Sequence, residues 1–269
     1  EGGLVVLAGV LGRSLGPVLG WQATLTVAAG VFALGALFHA WALPWPDDDR
    51  PRPPELAAGA GWDAVRSFVG KADLIRGLAF IVFYRFAENH LSKLIVPFLL
   101  DERAKGGLGL TLEQVGFAKG TVAVACLVVG GLLGGWMISR FGLKAMLPSM
   151  VLALNLPDLV YVYLSMAQPS NFNVVVALMG LEAFGYGFGF TAYMMFLIHL
   201  ADGPYKTAHY AMATGLMALS VFLAQFWSGW MQAQLGYVGF FWWVMVLTLP
   251  GAAVAAWVRL PEGFGRRAA

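Results

Sequence analysis

Arg85, Glu88, Asn89, Ser92 and Lys93 fall inside an apolar run from 74 to 100 that is long enough to cross a bilayer. An ionised side chain at mid-membrane costs about 2.5–3.5 kcal/mol on insertion scales, so such groups persist where they face a cavity, a partner or a pathway. At about 100° per residue, Asn89 and Ser92 lie within about 40° of Arg85, Glu88 at about −60° and Lys93 at about +80°. All five then share one side of a helix, and His90, at about 140°, turns away. On that side Arg85 is a planar fork suited to an anion, and Glu88 is either its i, i+3 partner or a titrating proton carrier.

A second polar face is expected on the run from 173 to 200, where Glu182, Gly185, Tyr186, Gly189 and Tyr193 gather. Tyrosines beside a glycine-thinned backbone can stack on a sugar ring while their hydroxyls bond to it. Packing of small residues against a neighbouring helix explains the same glycines but leaves Glu182 without a role. Lys119 enters the run from 114 to 138 on a side lined by Gly116, Gly120, Ala123, Gly130 and Gly134. It either pairs across the bundle with Glu182 or Glu88 or snorkels to the interface. Asp158, beside Pro157, is a third acid within an apolar run, either titrating or structural. His39, His199 and His209 lie near the ends of such runs and read as interfacial residues. No His or carboxylate spacing marks a metal site, and no cofactor motif is present.

The elements that must position these groups are set by composition. The chain has 269 residues, 59% of them hydrophobic and 12% charged, with a net charge of +2 and a mean hydropathy of +0.72. That balance belongs to a polytopic membrane protein, and the small net charge argues against a nucleic-acid partner. Cys126 is the only cysteine, so no internal disulfide forms. Complete spans are expected at 20–43, 74–100, 114–138, 145–166, 173–200, 209–232 and 238–258, preceded by residues 2–12 as the tail of a cut-off helix. Continuous apolar runs without two-residue alternation require helices, because open strands leave backbone groups unpaired in lipid.

The polar stretch from Pro44 to Asp73 carries Asp47, Asp48 and Asp49, then Pro51, Pro53 and Pro54, and reads as a linker. Trp62, Val65, Phe68 and Val69 within it suggest a short amphipathic helix at the interface. Arg50, Arg52, Arg66, Lys71, Arg76, Arg140, Lys144, Lys206, Arg259, Arg266 and Arg267 fall on one side of the membrane, against Arg13, Arg103 and Lys105 on the other. The linker, the loop at 139–144 and the C-terminus are therefore expected in the cytoplasm.

The loop Gly135-Trp136-Met137-Ile138-Ser139-Arg140-Phe141-Gly142-Leu143-Lys144 resembles the major facilitator motif G-x-x-x-D-R-x-G-x-[RK]. Gly135, Arg140, Gly142 and Lys144 match, and Ser139 stands where that family usually has Asp. In such a pattern Gly135 lets two helices approach, Gly142 permits the turn, and Arg140 and Lys144 meet acids and helix ends. Thr207-Ala208-His209-Tyr210-Ala211 is similar to the A-T-Q-Y-A run of muropeptide permeases of the AmpG type, with His209 replacing Gln. Asn155-Leu156-Pro157-Asp158, the run from Gly185 to Tyr193 and the closing Phe240-Phe241-Trp242-Trp243 extend the likeness over nearly the whole chain.

The resemblance implies an all-α membrane protein of the major facilitator fold. Residues 1–43 would end an N-terminal bundle, 44–73 form a cytoplasmic linker, 74–260 make the C-terminal six-helix bundle and 261–269 a cytoplasmic tail. It further implies a secondary carrier, not an enzyme, in a bacterial inner membrane, moving a polar, anionic solute with protons by alternating access. Its partners would be membrane lipid and the missing N-terminal bundle. By the same analogy the helix of Asp158 belongs to a supporting ring. A carrier-like sensor that moves nothing shares every one of these features. A membrane-embedded transferase needs a nucleophile constellation that the chain does not display.

Overall fold

The computed structural model describes residues 17–44 and 60–267, in which all regular structure is helical. The short apolar run at 2–12 and the acid- and proline-rich part of the linker lie outside the described residues. Helix α1 spans Pro17–Ala42, and α2, the expected amphipathic segment, spans Ala60–Val69. Trp62 and Val69 of α2 are exposed, while Ala64 and Phe68 face the bundle. The apolar side foreseen for this helix is therefore divided between packing and solvent.

The run from 74 to 100 was expected as one helix. It is two, α3 (Leu74–Phe83) and α4 (Phe86–Leu100), broken at Tyr84 and Arg85, where Arg85 leaves helical geometry at φ −111° and ψ 19°. A short α5 (Leu112–Val115) begins at a capping box, in which the Thr111 hydroxyl accepts from the Gln114 amide at 3.3 Å and the Gln114 side chain accepts from the Thr111 amide at 2.9 Å. The chain then passes through a π-helical turn, Gly116–Val122, into α6 (Ala123–Phe141).

Gly142 turns the chain at φ +87°, a conformation costly for any side chain, and starts α7 (Leu143–Asn155). A 3-10 turn at Leu156–Asp158, carrying Pro157, separates α7 from α8 (Leu159–Ala167). Helix α9 covers Phe172–Ala201. The last helical run, α10 (Lys206–Trp257), holds 52 residues, or about 78 Å at ~1.5 Å per residue, and breaks at Gly236 with φ 65°. It therefore supplies both of the spans expected at 209–232 and 238–258.

Among the described residues, five helical stretches are long and apolar enough to cross a membrane, and α3 with α4 adds a discontinuous one. Two apolar clusters build the core. One joins Phe80, Tyr84, Leu147, Met150, Tyr193 and Phe196, and the other joins Leu91, Phe98, Tyr161, Met179, Phe240 and Phe241. Glu88 follows Tyr84 of the first cluster and Ala87 of the second, Asp158 lies between Leu154 and Val160, and Glu182 lies between Met179 and Phe188, so each acid stands near where one cluster gives way to the other. The ionisable groups thus occupy a layer between two greasy ones, where water is scarce and charge is costly.

Close packing of α6 on α9 sets the wall beside that layer. A Cβ at Gly130 would run into the Phe184 carbonyl, and one at Gly187 into the Leu127 carbonyl. The Thr191 hydroxyl crosses the same seam to donate to the Gly131 carbonyl at 3.2 Å. On the other side of α9, Gly185 and Gly189 lie against the Ala153 and Met150 carbonyls of α7. These two glycines are packing residues rather than a thinned cavity wall. Gly135 has nothing within 4 Å of where a Cβ would sit, so it brokers no close helix approach.

Candidate functional site

Three carboxyl groups meet in the polar layer. Glu88 from the first turn of α4, Asp158 from the 3-10 turn and Glu182 from α9 each offer an oxygen within 4.8 Å of the others. All three are buried, with 5%, 2% and 8% of their surfaces exposed. Tyr161 donates its hydroxyl to Glu182 Oε2 at 3.1 Å. Glu88 Oε2 and both oxygens of Asp158 have no hydrogen-bond partner. Three ionised carboxylates this close and this dry repel strongly, so the arrangement calls for a positive charge to share the space. Hard oxygen donors in this number suit protons or a hard cation alike.

The positive group on hand is Lys119, carried by the π-helical turn. It lines a cavity of about 270 Å³ together with Glu88, Ser92, Tyr161, Glu182 and Tyr186. No direct ion pair joins it to either glutamate among the described residues. A π turn widens the helix by one residue per turn and re-aims its side chains, a device common at functional sites.

Arg85 sits on the other side of Tyr186. Its guanidinium lies 4.5 Å from the centroid of the Phe190 ring, 5.2 Å from that of Tyr186 and 5.6 Å from that of Tyr193, and it bonds to the Tyr186 hydroxyl. The Tyr186 and Phe190 rings stack at 5.5 Å with 8° between their planes. Arg85 forms no ion pair with Glu88, the alternative open from sequence, and its Nε has no partner. The break at 84–85 separates the two side chains, sending Arg85 to the aromatic rings and Glu88 to the carboxyl cluster.

The remaining members of the α4 face divide. Asn89 Nδ2 donates to Ser220 Oγ at 3.5 Å, and Gln225 Nε2 donates to Ser92 Oγ at 3.3 Å, so α4 and α10 are joined by a short polar ladder. Lys93 is exposed and does not line the cavity, since its place on the helix turns it past the edge of the polar side. His90, expected to face away, is buried against Phe86, with its Nδ1 2.8 Å from the Phe86 carbonyl. Tyr193 spends its hydroxyl on the Ile81 carbonyl at 2.9 Å, which leaves only its ring for any solute. Asp158, which the sequence leaves either titrating or structural on a helix assigned by analogy to a supporting ring, joins the cluster from the 3-10 turn. The three acids come from three separate elements, so no spacing along the sequence marks their convergence.

Sequence reasoning missed Ser220 and Gln225, although two polar residues in an apolar run were a readable signal. It also placed His209 at the interface. His209 is fully buried, its Nε2 3.2 Å from the Ala64 carbonyl and its ring 5.5 Å from that of Phe68, and so holds α2 on the start of α10.

In the loop motif, Ser139 Oγ donates to the Trp136 carbonyl at 2.7 Å, and Arg140 lies 5.9 Å from the centroid of the Trp136 ring. Lys144 finds its acid in the tail, at 3.2 Å from Glu262. Backbone bonds add to this contact, from Leu143 N to the Phe264 carbonyl at 2.8 Å and from Arg267 N to the Ser139 carbonyl at 2.8 Å.

No family model matches the chain. It is similar to a protein of Rickettsia prowazekii (strain Madrid E) named "Putative transporter AmpG 1", 26% identical over 179 residues that make up 66% of this chain and 38% of that protein. A Haemophilus influenzae protein named only as uncharacterized is 21% identical over 266 residues, 94% of this chain and 60% of its own length. The AmpG 4 protein of Rickettsia felis, likewise named as a transporter, is 21% identical over 254 residues, 92% of this chain and 58% of its own. The chain spans between 38% and 60% of the length of these relatives. Long apolar helices and this likeness together describe an integral, multi-pass membrane chain similar to AmpG-type transporters.

Proposed function

We propose that this chain forms the C-terminal bundle of a major facilitator carrier, together with the last helix of the N-terminal bundle and the linker between them. In this reading the carrier lies in a bacterial inner membrane and moves a polar, anionic solute of the muropeptide kind by alternating access, driven by protons. The observation that carries the reading is the convergence of Glu88, Asp158 and Glu182 beside Lys119, on the same cavity wall as the Tyr186 that holds Arg85. Groups so costly to bury are kept where their charge changes during work. Arg85, flanked by aromatic faces and without an ion pair among the described residues, is the solute's anion fork, and Tyr186 with Phe190 offers a flat surface to a sugar ring. The carboxyl cluster takes the coupling proton, and Lys119 moves out as that proton moves in.

Such a site needs both bundles, so the test uses the carrier with both bundles present in proteoliposomes. Uptake of a labelled muropeptide driven by an imposed proton gradient should be lost in Glu88→Gln, while exchange of solute across the membrane without a gradient persists. Arg85→Gln should lose both. Unchanged gradient-driven uptake in Glu88→Gln removes the proton role. Absence of any uptake by the unaltered protein favours a sensor.

A further inference from the structure

A groove of about 380 Å³ opens where the end of α2, the start of α3 and the end of α10 meet, and the functional reading above makes no use of it. Lys71, Asp73, Arg76 and Trp257 line it, with Val69 and Ile75 on its rim. Lys71 is steadied by donating to the Asp202 carbonyl at 2.6 Å, which leaves its other donors free to point elsewhere. Arg76 lies 5.5 Å from the centroid of the Trp257 ring and pairs with Asp73 through one nitrogen, and its Nε is buried without a partner. Two cations against one acid leave the groove positive. Arg66, one turn before Gly70, and Arg259, two residues after Trp257, are exposed and add to that charge at the same end of the molecule.

The rim is apolar where the floor is cationic. Val69 and Ile75 are exposed at 63% and 73%, and Trp257 at 49%, although each adjoins a membrane-spanning element. A tryptophan beside arginine at the end of a span is the usual chemistry of the headgroup level. Basic pockets between helices at that level hold phosphate groups, while neighbouring apolar side chains accept the first methylenes of an acyl chain. Loop charge places this end at the inner, anionic leaflet.

We propose that this groove is a binding site for an anionic phospholipid. The headgroup phosphate lies between Lys71 and Arg76, its glycerol edge against Trp257, and a chain runs along Val69 and Ile75. The lipid would tie α2 to the bundle's inner end. The inference is independent of the solute carried and requires only that the chain sits in a bilayer.

The test compares the purified chain in mixed micelles containing phosphatidylglycerol with the same micelles containing phosphatidylcholine. Phosphatidylglycerol should raise the melting temperature by ~2 °C or more beyond phosphatidylcholine, as a specific ligand does at saturation. The increment should vanish in the double variant Lys71→Ala, Arg76→Gln and persist in Lys144→Ala, which removes a cation elsewhere at the same end. A photo-crosslinkable phosphatidylglycerol, mapped by peptide mass spectrometry on the unaltered chain, should label residues 69–76 and the peptide holding Trp257. That mapping decides the question even if the double variant fails to fold. Equal stabilisation by both lipids, an increment that survives the double variant, or labelling spread evenly over the spans would each overturn the proposal. So would millimolar inorganic phosphate alone reproducing the shift, since the site would then take free phosphate.

Discussion

The hydroxyl of Tyr193 on α9 donates to the carbonyl of Ile81 on α3 at 2.9 Å. In an unbroken helix that carbonyl would accept from the Arg85 amide, and the next, Val82, from Phe86. The break at 84–85 frees both acceptors, and Ser220 takes the second, donating to Val82 at 3.0 Å. Two side chains from other helices therefore hold open the discontinuity that parts Arg85 from Glu88. Tyr193→Phe leaves a buried carbonyl without a partner and should lower stability by about 1–3 kcal/mol. Ser220→Ala should cost a similar amount, and the double variant should fall short of the sum if the helix re-closes and pairs both carbonyls internally. Chemical denaturation in detergent reads these differences, and a Tyr193→Phe protein as stable as the parent would show that the hydroxyl is not what holds the break.

The glycines of α6 and α9 make unequal demands. Alanine at Gly130 would push a methyl into the Phe184 carbonyl of α9, and at Gly187 into that of Leu127, with backbone on both sides and no side chain to give way. Either substitution should destabilise by about 1–3 kcal/mol through overpacking. Gly135, part of the loop motif, faces open space. Gly135→Ala should be neutral or stabilise by up to about 1 kcal/mol through helix propensity. Melting curves of the three variants in one detergent test this contrast. Equal losses at Gly130 and Gly135 would mean that the α6–α9 seam is not the tight contact.

The break at 84–85 and the seam between α6 and α9 mark where the sequence could be read and where it could not. Apolar length alone gave the spans, and buried charge alone picked out Arg85, Glu88, Lys119, Asp158 and Glu182. Helical angles treat 74–100 as one rod, however, and neither Tyr84 nor Arg85 is a residue that breaks helices. The discontinuity comes from tertiary hydrogen bonds, which no local pattern carries, and it redirects Arg85 and Glu88 to different neighbours. The inward swing of Asp158 likewise depends on a one-turn change of pitch at Pro157 that a fixed 100° step cannot follow. The loop motif was legible, but the acid that answers Lys144 lies at Glu262, more than a hundred residues away.

Asp158 brings a third carboxyl to Glu88 and Glu182 without a donor of its own. An amide of nearly the same shape cannot ionise there and brings donors to two unpartnered acceptors, so Asp158→Asn should melt at or above the temperature of the parent. Gradient-driven uptake by the carrier with both bundles present should fall at least about tenfold, the loss expected when a buried functional charge is deleted. The paired outcome separates the readings. A purely structural Asp158 predicts lower stability with uptake retained in whatever protein folds.

His209 joins the surface helix α2 to the membrane-spanning part. Its Nε2 lies 3.2 Å from the Ala64 carbonyl, and its ring packs on Phe68 and Tyr205 at 5.5 and 6.1 Å. Because the histidine is fully buried, His209→Ala opens a cavity under α2 as well as removing a hydrogen bond. Amide exchange over residues 60–69 should accelerate at least about tenfold while exchange in α9 is unchanged, which reports local undocking. Unaltered exchange in α2 would assign its docking to Ala64 and Phe68 alone.

The tail is fastened to the loop motif mainly through its backbone and one ring. Phe264 accepts from the Leu143 amide at 2.8 Å and packs its ring 4.8 Å from that of His199, and a Cβ on Gly265 would meet Ile138 at 2.8 Å. The Lys144–Glu262 pair, by contrast, spans 3.2 Å between side chains exposed at 53% and 91%, where solvent screens most of the attraction. Glu262→Ala should therefore leave the tail in place, with no measurable change in exchange at Leu143. Phe264→Ala should release it, raising exchange at that amide at least about tenfold and exposing residues 262–267 to limited proteolysis. If the order were reversed, with Glu262→Ala freeing the tail and Phe264→Ala harmless, the acid would be standing in for the one missing at Ser139, and charge rather than packing would close this end.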